Sequence, residues 1–341
     1  MDRPLRILQY GLGPIGQAVA RTLLQKQHTT GTVQLVGAVD IDPAKVGRDV
    51  ADLMGDSQDA TGIRVSDDPE QVLAEAAPDA VIHTTTSFLD GVQEQLLRCL
   101  EAGAHVVSST EELAFPYERH PERADVLDRA ARQAGVALVG TGVNPGYAMD
   151  TLPLTATGAC TSVESVRVQR VVDAGERRAP LQQKVGAGLS PAAFAEKKAG
   201  GGFGHIGLRE SLRLIADGLG WSLEGIEETL QPVRAERAHE TPYVAVAPGE
   251  VAGIHHVARG QVGGQPRLHL DLQMYVGAEQ PRDAVQVVGE PPIDLTVDGG
   301  IFGDTATVGM LVNTVPRLLD AAPGLRTMPD LPLPRAIATR P

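Results

Sequence analysis

Two adjacent carboxylates, Glu111 and Glu112, stand directly after a short apolar run in "HVVSSTEELAFP", residues 105 to 116. A strand that stops at a pair of acids invites a chemical reading, because parallel strands deliver their C-terminal ends to the ligand crevice of an α/β sheet. A carboxylate there can bind an ammonium, take a proton from it, or stabilise an iminium as positive charge develops. The same pair could simply cap a helix N-terminus, where negative charge is mildly favourable.

A second constellation is "GLGPIG", Gly11 to Gly16, which matches G-x-G-x-x-G. It follows a predicted strand, opens a predicted helix, and precedes Asp40 at the end of the next strand, as one βαβ unit requires. Gly11 permits the tight turn, Gly13 lets the backbone approach a pyrophosphate, Pro14 and Ile15 lead into the helix, and Gly16 lets helix and strand pack closely. The helix N-terminus supplies N–H groups and a positive dipole end. Asp40 can accept from the adenosine ribose, which favours NAD over NADP; it can equally be a turn residue of "DIDP". Lys45 and Arg48, close behind, could serve a 2′-phosphate. Thr84, Thr85 and Thr86 in "HTTTS" either line the cofactor's ribose and nicotinamide side or are β-branched filler before a Ser cap. Asn144 in "GTGVNPGYAMD" either meets the nicotinamide carboxamide, forms an interdomain turn, or does both.

Other polar residues point less clearly. His205, in the glycine-rich "GGGFGHIGLRES", lies either in a loop that closes over substrate or in a structural position. His255 and His256 are adjacent in a strand and face opposite ways, so they form no joint metal site. Arg170, Arg177, Arg178 and Lys184 could meet a substrate carboxylate, although arginines on sheet edges are usually solvated.

These groups need elements to hold them. The first 150 residues read as strands "RILQYG", "VQLVGAVD", "DAVIHTTT", "HVVSS" and "VALVGT", with a short one near "IRVSD". Helices fall at Ile15 to Lys26, Pro69 to Glu75, Gly91 to Glu101 and Pro121 to Ala134. That alternation predicts a doubly wound α/β domain with a parallel sheet. Farther on, "ESVRVQRVVDA", "TPYVAVAPGEVAGIHHVARGQV" and "RLHLDLQMYVGA" alternate polar and apolar residues, as strands of an open mixed or antiparallel sheet do. Helices are expected at "LSPAAFAEKKAGG", capped by Ser190, and at "GLRESLRLIADGLG". The expected domains are residues 1–146 for the dinucleotide, 147–304 as an α+β substrate-binding and dimerisation domain, and 305–341 as a C-terminal helix and Pro-rich tail packing back on the first.

With 341 residues, 42% hydrophobic and 21% charged, the chain can bury a large core. Its net charge of −13 argues against nucleic-acid or anionic-membrane partners. Cys99 and Cys160 lack metal spacing and fit a reducing cytoplasm; neither a signal peptide nor a membrane span is expected, and no metal. An open sheet with an apolar face usually seeks a partner, so a homodimer is the default.

Taken together, "GLGPIG", "AVDIDPAKVGRD", "SSTEEL", "GTGVNPGYAMD", "RVVDAGERRAPLQQKVGAGLS", "GHIGLRES" and "GDTATVGMLVNTVPRLLDAAPGLRTMPDLPLP" resemble the 2,4-diaminopentanoate dehydrogenases and related native amine dehydrogenases across nearly the whole chain. The resemblance implies a fold like dihydrodipicolinate reductase and NAD(P)-dependent interconversion of an amine with a ketone and ammonia. It also implies a catalytic carboxylate in the Glu111–Glu112 pair, Glu111 first and Glu112 in its place otherwise, and pocket residues Tyr147, Arg170, His205 and Thr305. "IHHVARG" carries the His-His pair of dihydrodipicolinate reductase without its Lys or S-G-T turn, so that enzyme's own chemistry is not expected. Alternatives are action on a diamino acid, ammonia-independent carbonyl reduction, and nicotinamide sensing without catalysis.

Overall fold

The computed structural model describes residues 3–55 and 60–337. Strands β1 (Leu5–Tyr10), β2 (Val33–Val39), β3 (Val65–Ser66), β4 (Ala80–His83), β5 (His105–Ser108) and β6 (Ala137–Gly140) alternate with helices α1 (Pro14–Thr30), α2 (Pro69–Ala76), α3 (Gln93–Glu101) and α4 (Pro121–Ala134). Local chemistry explains the boundaries. Helix α1 starts at Pro14, whose missing N–H costs nothing at a first position, and stops at Gly31 in the left-handed region. Leu96 and Leu100 of α3, with the preceding Val92, are buried in one apolar cluster with strand residues Leu8, Val81, Val106 and Leu138. A short 3₁₀ turn, Leu89–Gly91, precedes α3, so the helix begins two residues later than the apolar spacing suggests.

The next stretch contains α5 (Thr151–Thr157), β7 (Ser162–Asp173), α6 (Ala179–Lys184), α7 (Pro191–Ala199), α8 (Leu208–Gly218), β8 (Gly225–Arg234), β9 (His239–Glu240), β10 (Ala245–Val246), β11 (Val251–Val262), β12 (Gln265–Tyr275), β13 (Arg282–Glu290) and β14 (Ile293–Asp298). Ser190 caps α7 by accepting the Ala193 N–H at 3.2 Å. Six of these strands form a mixed sheet in the order β14-β13-β7-β12-β11-β8. Its β7–β12 pair is parallel and the others are antiparallel. Three of its members, β8, β13 and β14, were not expected from the sequence. Pro232 inside β8 argues against a strand, and the structure accommodates it by placing β8 at the sheet edge.

The chain then forms α9 (Gly303–Leu318) and β15 (Gly324–Arg326). Helix α9 packs on α1, β4, β5 and β6. The Pro-rich tail, in which no strand was identified from the sequence, contributes β15, which pairs in parallel with β6. Among the described residues this gives a seven-stranded parallel sheet, β15-β6-β5-β4-β1-β2-β3. Strand order reverses between β1 and β4, the switch point at which such sheets bind nucleotides. Residues 338–341 of the expected tail lie outside the described residues. Two compact units result, Met1–Gly146 with Gly303–Pro341, and Tyr147–Phe302.

The view of Arg170 as a solvated sheet-edge cation is corrected here. Strand β7 has a neighbour on each side, and Arg170 is only 2% exposed. Its guanidinium donates to Asp283 Oδ1 at 2.6 Å and to the Ile301 carbonyl at 2.7 Å, while Asp283 Oδ2 accepts the Ile301 N–H at 2.7 Å. Arg177 lies over the Phe302 ring, 4.7 Å from its centre. Both cations thus help hold residues 301–302 against the second unit's sheet. Removing one member of a buried ion pair leaves the other charge uncompensated. Asp283→Ala should therefore destabilise the protein by about 3–5 kcal/mol in chemical denaturation, whereas Asp283→Asn, which keeps an acceptor, should cost less.

Candidate active site

The glycine turn has the three properties a dinucleotide needs. Gly11 has φ +87°, a left-handed conformation, and a side chain there would collide with the Thr84 carbonyl. Gly13 is different, with nothing within 4 Å of where its Cβ would stand. That open approach lies at the start of a 17-residue helix whose first-turn N–H groups, at Ile15 and Gly16, have no intrahelical partner. A Cβ on Gly16 would overlap the Gly11 carbonyl, so this glycine lets helix and strand touch. Asp40 Oδ2 accepts the Leu12 N–H at 2.6 Å and Oδ1 accepts the Asp42 N–H at 2.9 Å, so it shapes its own turn and the glycine turn together. Ile41, between those acids, is 82% exposed and offers an apolar wall to a purine. The unit fits a nicotinamide adenine dinucleotide.

The acid pair sits on a 3₁₀ turn, Glu111–Ala114, that follows β5. Gly140 allows the turn to press against the end of β6, since a Cβ at that position would lie 2.5 Å from the Leu113 carbonyl carbon. The two glutamates then diverge. Glu112 is buried and accepts from the Leu89 N–H at 2.8 Å, Arg119 at 2.8 Å and His120 Nε2 at 2.9 Å. Burial works to raise its pKa, but the Leu89 and Arg119 hydrogen bonds and the charges of His120 and Arg119 outweigh it and hold the carboxyl below its ordinary value. Glu111 instead lines a cavity of about 40 Å³ with Thr110, Thr141, Asn144 and Thr307. The Thr141 hydroxyl is buried there without a hydrogen-bond partner among the described residues, and Thr307 Oγ1 accepts the Val143 N–H at 3.3 Å. None of the residues lining this cavity is Lys, Arg or His.

Known proteins resemble this chain in sequence and fold. Residues 147–340 match the model of the 2,4-diaminopentanoate dehydrogenase C-terminal domain. The chain is 32% identical to 2,4-diaminopentanoate dehydrogenase of Acetoanaerobium sticklandii over 339 residues, 98% of this chain and 95% of that one. It belongs to the 2,4-diaminopentanoate dehydrogenase family. Residues 7–139 also match the saccharopine dehydrogenase NADP binding domain. A Streptomyces virginiae protein named amine dehydrogenase is 28% identical, with 96% of each chain covered. The solved amine dehydrogenase of Mycobacterium smegmatis superposes with TM-score 0.86 at 28% identity, covering 98% of each chain. Dihydrodipicolinate reductase of Paenisporosarcina, at TM-score 0.51 and 14% identity, shares the fold.

In this diaminopentanoate dehydrogenase family member, several expected site residues serve the scaffold. Thr84 turns its hydroxyl to the Gly11 carbonyl at 2.9 Å and receives Gln9 Nε2 at 2.8 Å, which makes it a brace of the turn. Thr85 bonds His83 and Gln95, and the Thr86 carbonyl accepts the Thr110 hydroxyl at 2.9 Å. Thr305 is exposed on α9; Thr307, two residues on and therefore on another helical face, is the threonine that reaches the Glu111 cavity. Sequence spacing alone gave no reason to choose Thr307. In the second unit Tyr147 is half-buried, and its carbonyl accepts the Leu152 N–H. His205 is buried, its Nε2 without a hydrogen-bond partner among the described residues, and its pKa is driven well below the ordinary value by burial and then by Lys184, His256 and Arg170. His255 pairs with Asp271 at 3.2 Å and His256 with Glu228 at 2.8 Å.

His83 was not expected to matter. It sits wholly buried between Ser108 Oγ at 3.0 Å and Gln95 Oε1 at 2.8 Å, and Ser108 in turn meets Thr110, the residue before Glu111. Burial lowers its pKa to about 4, against a smaller opposing effect of Gln95. The unfolded chain takes up this proton near pH 6.5 while the folded chain refuses it until about pH 4. Stability should consequently fall as pH drops through that window, by at most about 1.4 kcal/mol per pH unit, and His83→Gln should flatten that part of the profile in urea unfolding. The glycines yield a paired expectation. Gly16→Ala should cost about 1–3 kcal/mol of stability, whereas Gly13→Ala should melt like wild type but bind NADH about tenfold more weakly in a fluorescence titration.

Proposed function

We propose that the protein is an NAD(P)-dependent amine dehydrogenase, interconverting a small amine with a ketone and ammonia. One observation carries the reading: a glutamate, Glu111, lines a small polar cavity with Thr110, Thr141, Asn144 and Thr307, at the C-terminal ends of the strands that also present the glycine turn. That is where a positively charged nitrogen is stabilised by fixed negative charge. The relatives named amine dehydrogenase and 2,4-diaminopentanoate dehydrogenase support it.

A bound nicotinamide coenzyme supplies the hydride in one direction and accepts it in the other. Ketone, ammonium and NAD(P)H give amine, water and NAD(P)⁺. Glu111 takes a proton from ammonium and frees its lone pair for the carbonyl carbon, and the same proton can leave with the departing oxygen as water. Once ionised again, the carboxylate faces the iminium and lowers its energy. Asn144 and the Thr141 and Thr307 hydroxyls line the same space and can hold the nitrogen in place. Glu112, held by three donors, keeps the turn in shape. Asp40 favours NAD over NADP. The two free cysteines suit a reducing cytoplasm, and a homodimer is the assembly we expect. Among the described residues no helix is long and apolar enough to cross a membrane.

A second reading, a substrate bearing a carboxylate as a diamino acid does, draws on the second unit. There His205 Nε2 is buried without a hydrogen-bond partner among the described residues, with Lys184 and Arg170 as its electrostatic neighbours, a setting that suits an anionic group.

The deciding assay is NADH and NADPH oxidation with a panel of ketones and keto acids, with and without ammonium. Turnover should require ammonium, and Glu111→Gln should lower it by about 10² to 10⁴ while leaving NADH affinity unchanged. Turnover without ammonium would point to carbonyl reduction, and cofactor binding without any turnover to a sensor.

A further inference from the structure

The turn after β2 holds a lysine where a ribose would compete for its partner. Lys45 Nζ lies 3.2 Å from Asp40 Oδ2 and 3.3 Å from Asp42 Oδ2. Asp40 is buried and already receives the Leu12 and Asp42 N–H groups. A carboxylate offers about four lone-pair positions. Two are taken by backbone and a third by Lys45, which leaves one for a ribose diol that has two hydroxyls to donate. Arg48, the other nearby cation, is held elsewhere, donating to the Asp52 carbonyl at 3.0 Å.

We infer that Lys45 sets the coenzyme preference of this protein, by releasing Asp40 and binding the 2′-phosphate when the coenzyme is NADPH. The inference rests on the nicotinamide-nucleotide reading of the first unit and deepens it. When Lys45 moves, Asp40 keeps the Leu12 and Asp42 N–H groups, so its buried charge remains satisfied, and Lys45 exchanges its Asp40 contact, one of its two carboxylate contacts, for a more highly charged anion. With NADH there is no phosphate to meet, and Lys45 stays on Asp40 as a competitor of the ribose hydroxyls. The lysine therefore acts in opposite senses on the two coenzymes. A lysine that merely staples the 42–45 turn would act on both alike.

The test is a fluorescence titration of NADH and NADPH into the full chain, without substrate. Lys45→Gln should weaken NADPH about tenfold and leave NADH unchanged or tighter, since one charge-assisted contact is lost in the first case and a competitor removed in the second. Lys45→Arg should retain NADPH within about threefold, and Arg48→Gln should change neither coenzyme by more than about twofold. Raising salt should weaken NADPH more than NADH in wild type, with that difference largely lost in Lys45→Gln. Equal weakening of both coenzymes, no change in either, or NADPH loss in Arg48→Gln instead would each overturn the assignment. If wild type bound neither coenzyme, the nucleotide reading itself would fail with it; if wild type bound both and Lys45→Gln did not alter their ratio, only this assignment would fall.

Discussion

A carboxylate taken out of water must find donors for its oxygens or cease to be charged, and Glu112 meets that demand by drawing three of them together. Leu89 belongs to the turn after β4, Arg119 and His120 to the segment before α4, and Glu112 itself to the turn after β5. One buried charge thus closes the β5–α4 connection on itself and fastens it to the β4–α3 connection on the rim of the parallel sheet. Its neighbour in sequence is carried along: with Glu112 fixed inward, Glu111 is left to line the cavity beside Asn144 and Thr307. The doubled acid divides into one residue that holds the rim and one that lines the cavity.

The glycine turn obeys a similar economy of space. Gly11, Gly16 and Gly140 are places where backbone meets backbone too closely for a side chain, while Gly13 is left open. Gly11 and Gly16 pack the turn against β4 and against itself, Gly140 admits the acid-bearing turn to β6, and only Gly13 keeps room for something absent from the polypeptide. Buried polar residues finish the frame. Gln9 and Thr84 tie the turn to the end of β4, and the chain from Gln95 through His83 and Ser108 to Thr110 reaches the residue before Glu111.

Much of this was legible beforehand because periodicity reports burial. The parallel strands of the first unit are continuous apolar runs, and the helix limits at Pro121 and Ala134 carry their own stop signals, so spacing and punctuation were enough. That two acids would follow β5 directly was legible in the same way. What escaped were features set by partners distant in sequence. Pro232 hid an edge strand, β15 is only three residues long and exists because β6 offers it an edge, and Arg170 is buried because Asp283, far along the chain, meets it. Thr307 was missed in favour of Thr305 for the same reason, since which face of a helix meets a cavity depends on packing that local spacing does not contain.

The position of β15 bears on how the protein is made. Strand β6 of the parallel sheet is synthesised before Tyr147–Phe302 and its partner β15 after it. Until Gly324–Arg326 leaves the ribosome, β6 stands as an unpaired parallel edge, its backbone groups open to any strand that passes. The growing chain must carry that edge through the synthesis of the whole of Tyr147–Phe302 and of α9, so it is most vulnerable after its second unit is already made.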